Sequence, residues 1–222
     1  MLESARVLFV DQRYAATTME QIAGAAGVAV QTVYYTFRTK GRLLCEVVEF
    51  AGAEEDEPFP VAQRPWMLES LSSPSAQRAL ALAVENGADI YERAAPLWPA
   101  MSAAAATDPE VERFWRGVAT LRRAGQGRLV ARLAELGALR DGLHPDRATD
   151  LVVVLFGHDV YRGLAEAGWT PSDYKAWLFT TLVQQLLAAD SLDPTAFRDL
   201  SFSALLADRE RSAGRSSRIS SP

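Results

Sequence analysis

Thr18-Met19-Glu20-Gln21-Ile22-Ala23-Gly24-Ala25-Ala26-Gly27-Val28-Ala29-Val30-Gln31-Thr32-Val33-Tyr34-Tyr35-Thr36-Phe37 decides the fold of this chain. It reads as two short helices joined by a tight glycine turn. Thr18 followed by Gln21 is a capping box, in which the hydroxyl takes an orphan N–H and the amide reaches back to the cap. Thr17 with Glu20 offers the same pairing one residue earlier, which leaves the boundary open by one. Ile22, Ala23 and Ala26 give the first helix an apolar face, Gly27 suits a left-handed stop, and Val28 packs back behind it. In the second helix Val33 and Phe37 stand four apart and point inward. Gln31, Thr32, Tyr34 and Tyr35 are left outward, with Val30 at the margin.

Working outward, Leu2, Ala5, Leu8 and Phe9 recur at spacings of three and four and predict a helix over residues 2–13. Leu43, Leu44, Val47, Val48 and Ala51 extend the pattern over residues 40–56. These flanking helices supply the core that two short helices cannot build alone. The arrangement is that of a helix-turn-helix, whose second helix is offered to the major groove of DNA. Arg38, Lys40 and Arg42 add cations beside it, and a helix start near Lys40 adds oriented N–H groups, both suited to phosphates.

Leu8-Phe9-Val10, Arg13 to Ala23, Ala26-Gly27-Val28, Thr32 to Phe37, Lys40 and Leu43-Leu44 together resemble the DNA-binding domain of the TetR family of transcriptional regulators. The likeness covers about the first 50 residues without gaps. It implies an all-helical homodimeric repressor whose C-terminal domain dimerises and binds a small-molecule inducer. By that resemblance Gln31, Thr32, Tyr34 and Tyr35 touch bases or phosphates of a palindromic operator, beside the Thr18 cap, and Thr17 and Lys40 anchor the DNA backbone. Two positions depart from the family pattern. Thr36 stands where a histidine is usual, and the basic arm before the first helix is missing, so that arm is absent or the true start lies upstream of Met1.

A net charge of −5 sits oddly with DNA binding until it is divided by region. Arg6, Arg13, Arg38, Lys40 and Arg42 outnumber Glu3, Asp11 and Glu20 in residues 1–45, so the acidity belongs to the rest. An acidic body behind a mildly basic reader is compatible with operator binding and argues against non-specific coating of nucleic acid. The lone Cys45 excludes an intrachain disulfide, suits a reducing cytoplasm, and lies among apolar residues as a packed thiol. No signal-like or membrane-spanning apolar run is apparent, and the expectation is a cytoplasmic protein away from membranes.

After residue 50 the pattern remains helical. Breaks at the acidic Glu54–Pro60 stretch, at Pro96 and Pro99, at Gly137 to Pro145, and at Gly168 to Pro171 predict an all-α fold of nine to ten helices. The predicted division is a helix-turn-helix domain at 1–50, a helical effector-binding and dimerisation domain at 51–206, and a disordered tail at 207–222. Helices expected at 146–167 and 171–189 are apolar around much of their circumference. Pairing both with their copies gives an isologous four-helix interface. The alternative is that the apolar stripe is internal core.

Tyr91, Trp98, Met101, Phe114, Trp115, Arg122 and His158 are the candidate effector-pocket residues, aromatics with a few polar groups. Taken one by one, each reads as ordinary core. Two histidines and one cysteine build none of the usual zinc sites, no nucleophile elbow or phosphate loop occurs, and Gly125-Gln126-Gly127 falls inside a helix. Neither catalysis nor a cofactor is expected. The competing functional reading is a ligand-binding or protein-interaction module with a vestigial DNA-reading helix, which Thr36 and the missing arm leave open.

Overall fold

The computed structural model describes residues 1–53 and 60–189. Among them are eleven α-helices: α1 Leu2–Ala16, α2 Met19–Ala26, α3 Val30–Phe37, α4 Lys40–Gly52, α5 Pro65–Ser72, α6 Ala76–Ala94, α7 Trp98–Ala105, α8 Pro109–Glu135, α9 Pro145–Leu155, α10 His158–Glu166 and α11 Pro171–Leu186. A single antiparallel bridge, Leu139 with Leu187, is the extent of β pairing among the described residues. No described helix is long and apolar enough to cross a membrane. The predicted tail at 207–222 and most of the acidic stretch lie outside the described residues.

The predicted starts and stops rest on local chemistry. Thr18 forms the capping box with Gln21, and Gly27 ends α2 at φ 66°. Thr39 caps α4 by accepting the Arg42 N–H, and Thr170 forms a second capping box with Asp173 at the head of α11. Asp108 accepts the Glu110 N–H at 2.9 Å at the start of α8.

Four boundaries differ from the sequence pattern, the fourth helix among them: expected over 40–56, it stops at Gly52, where Ala53 turns extended. The first helix runs on to Ala16 through a kink at Arg13, whose φ of 66° and ψ of 162° are non-helical. The helix expected over 146–167 is two helices, because Phe156 turns out of helical geometry and Gly157 starts α10. A Cβ on Gly157 would lie 2.8 Å from the Val154 carbonyl, and one on Gly87 would run into the Phe156 ring, so glycine at both places lets the break close on itself. That split also accounts for the one helix beyond the expected ten. The last helix ends at Leu186, where the chain turns extended to pair with Leu139.

The described residues group into two compact units. One takes residues 1–53 with Ile90–Arg122, the other residues 60–89 with Arg123 to 189. The core of the first joins Phe9, Ile22, Val33, Phe37, Leu43, Leu44 and Val47 to Leu97, Met101, Ala104 and Val111. Burying this much apolar surface is what gives α2 and α3 a fixed orientation, since neither eight-residue helix is stable alone. In the second unit Leu129, Leu133, Val152, Tyr161, Tyr174, Leu178, Phe179, Leu182 and Leu186 are buried. Tyr161 meets Tyr174 edge to face at 4.9 Å, and Lys175 reaches Glu85 at 2.7 Å and Asp89 at 2.6 Å.

Candidate nucleic-acid interface

The face of α3 is divided as its spacing predicts. Val33 and Phe37 are buried, while Gln31 and Thr32 are exposed and Tyr35 is 89% exposed. Tyr34 beside it is 46% exposed. A phenol left that open on a short helix forfeits the burial that usually places a tyrosine, so its position has no packing explanation. Ala29 provides no side-chain cap at the head of α3. Of the first-turn N–H groups, that of Thr32 donates to the Ala29 carbonyl at 2.9 Å. Thr36 occupies the place of the usual histidine, and its hydroxyl donates to the Thr32 carbonyl at 2.9 Å, within its own helix.

Thr18, Thr17 and Lys40 have other surroundings. The Thr18 side chain is exposed and occupied with capping: its Oγ1 accepts the Gln21 N–H at 3.2 Å, and its own N–H donates to the Gln21 amide oxygen at 2.8 Å. Thr17 is fully buried, its hydroxyl 2.9 Å from the Arg13 carbonyl and 3.2 Å from that of Leu8. The Lys40 ammonium donates to the carbonyls of Tyr14 at 2.8 Å and Thr17 at 2.9 Å. It also sits 4.3 Å from the centre of the Tyr14 ring. Burial holds its pKa below the usual lysine range. Lys40 therefore ties the end of α1 to the start of α4, while the Thr17 hydroxyl turns back onto α1.

Further groups, disclosed by no local sequence pattern, reinforce this joint. The Tyr14 hydroxyl donates to Asp108 at 3.2 Å, and the Thr39 hydroxyl donates to Glu110 at 2.8 Å. Burial, with the Asp108 charge adding to it, pushes the Tyr14 phenol well above its ordinary value. A Cβ on Gly41 would run into the Asp108 carboxylate, so the glycine is what admits the close approach. Cys45 beneath is buried, and desolvation pushes its thiol up to about 11, the environment of an inert core cysteine.

The candidate effector residues separate. Tyr91 and Trp98 meet edge to face at 5.6 Å, and the Arg122 guanidinium donates to the Tyr91 hydroxyl at 3.3 Å. Burial pushes the Tyr91 pKa up against the opposing pull of Arg122. Met101 is fully buried in the core of the first unit, with Phe114 and Trp115 packed half-buried against it. His158 belongs to the second unit, with Nε2 3.4 Å from an Asp159 carboxylate oxygen.

Residues 1–47 match the family described as bacterial regulatory proteins, tetR family. No curated protein sequence matches the chain significantly. Among solved structures, a protein of Saccharomonospora viridis in complex with choline aligns at a TM-score of 0.66 and 15% identity, over 84% of this chain and 95% of that one. NalD of Pseudomonas aeruginosa, the secondary repressor of a multidrug efflux pump, aligns at 0.64 and 20% identity, over 85% and 95%. SmeT bound to triclosan aligns at 0.64 and 18% identity, over 87% and 92%; SmeT is the repressor of an efflux pump of Stenotrophomonas maltophilia. At these identities the structural likeness speaks for the fold alone, and the family match is confined to residues 1–47.

Proposed function

We propose that this chain, whose residues 1–47 match the tetR family of bacterial regulatory proteins, is a DNA-binding transcriptional regulator, a cytoplasmic repressor released by a small organic effector. The single observation that carries the DNA-contact assignment is the divided face of α3. Gln31, Thr32, Tyr34 and Tyr35 are displayed on a helix whose other side, Val33 and Phe37, is locked into the core. In this reading those four residues contact the operator and the Thr18 cap abuts its backbone.

Repression is supported by the roles of NalD and SmeT, and small-molecule release by choline and triclosan in the aligned structures. The Tyr91, Trp98 and Arg122 cluster is our candidate for part of the effector site, since it offers aromatic walls and one cation to a largely apolar ligand. An effector acts by binding better to the conformation that fits DNA worse. Homodimerisation is assigned to α9, α10 and α11, where Val154 is 65% exposed and Trp169, just before α11, is 38% exposed. A two-fold dimer of such readers requires a palindromic site with half-sites about one helical turn apart or a multiple of it. Enrichment of random duplexes by the purified chain tests this reading. A palindromic consensus is expected, and enrichment of asymmetric sites or of none contradicts it.

A further inference from the structure

Few of the cations around the reading helix are available to DNA. Arg6 is bridged to Glu3 at 2.6 Å and Arg42 to Glu46 at 2.8 Å, and Lys40 is held by two carbonyls. Arg13 and Arg38 remain, both exposed, and neither guanidinium has a partner among the described residues. These two are therefore the cations of the region that no protein partner engages among the described residues.

These two are also the non-glycine residues with positive φ among the described residues, at 66° and 64°. Arg13, with ψ 162°, lies in a region that is essentially reserved for glycine. Arg38, with ψ −50°, is the centre of a γ-turn of the strained hand, closed by the Thr39 N–H on the Phe37 carbonyl at 2.7 Å. Glycine would remove the strain at either place. The two strained segments adjoin each other, because Lys40 at the end of one holds the carbonyl of Tyr14 in the other. Arg13 is at the kink in the last turn of α1, and Arg38 directly follows α3.

We infer that Arg13 and Arg38, exposed, unpaired among the described residues and both held in left-handed backbone, are the phosphate-gripping side chains of this reader. The inference rests on the DNA-reading function of the first unit and adds how its charge is delivered. It gives arginine at two strained positions a reason, namely a charge that glycine cannot supply.

The test uses the full chain with a fluorescein-labelled mixed-sequence duplex, so that no operator need be known. Arg13→Gly and Arg38→Gly should each raise the melting temperature. Each should also weaken duplex binding about tenfold and reduce the slope of log affinity against log salt by about 0.9 for each copy bound. Arg42→Gln, which removes a cation already paired, should leave that slope unchanged. Glycine variants that melt higher yet bind with wild-type affinity and salt slope would overturn the inference, as would an equal loss of slope in Arg42→Gln. A wild-type chain that binds no duplex at low salt would overturn it through its premise instead, and the two failures are distinguishable in one titration series.

Discussion

The outward face of α3 and the joint between α1 and α4 are built from similar residues with opposite fates. On α3 the threonine and tyrosines at 32, 34 and 35 are exposed. At the joint Thr17 is buried, Tyr14 is half-buried, and the Lys40 ammonium is turned onto protein carbonyls. Residue type alone does not say which polar group is left facing outward. The difference lies in whether a nearby backbone carbonyl has lost its partner, as happens where α1 ends at Ala16 and its last carbonyls need donors. Thr17 and Lys40 supply those donors.

Substitution can break or sharpen this contrast, and stability orders the outcomes. Lys40→Ala has the largest expected effect, because it strips a charged donor from two carbonyls and a cation from the Tyr14 ring. It should cost the first unit about 2–3 kcal/mol, read as a lower midpoint in urea. Lys40→Met, which keeps the packing of the stem, should recover only a part. If Lys40→Ala instead flattened the salt dependence of DNA binding at unchanged midpoint, the side chain would belong with the reading face. Thr17→Val comes next, a near-isosteric change that removes one buried donor and should cost about 1–2 kcal/mol in the same measurement. An unchanged midpoint there would mean the Arg13 and Leu8 carbonyls are satisfied without it.

How far the sequence disclosed this follows from the range of the interactions. Capping boxes, the left-handed Gly27, the Thr170 cap and the inward pair Val33 and Phe37 depend on neighbours within a turn, and these were legible. The exposure of Gln31, Thr32, Tyr34 and Tyr35 was legible for the same reason. Thr17 and Lys40 looked like phosphate anchors because their role depends on carbonyls 4 to 26 residues away. Tyr14 with Asp108 lies 94 residues apart and left no local trace. The break between α9 and α10 did leave one, in Gly157 followed by Asp159 as a glycine stop and an acidic helix start, but the apolar run around it outweighed that signal. Arg13 is illegible in principle, since nothing in its type suggests a backbone region that glycine favours.

Tyr35 stands at the other end of the stability order, and it tests most directly whether the exposed face of α3 reads DNA. With 89% of its surface open, Tyr35→Ala should leave the melting temperature within about a degree of wild type, as exposed substitutions do. In fluorescence anisotropy against the duplex enriched by the wild-type chain, it should weaken specific binding by about a hundredfold while leaving non-specific affinity nearly unchanged. Wild-type specific affinity in a folded Tyr35→Ala chain would contradict the assignment of α3 as the reading helix.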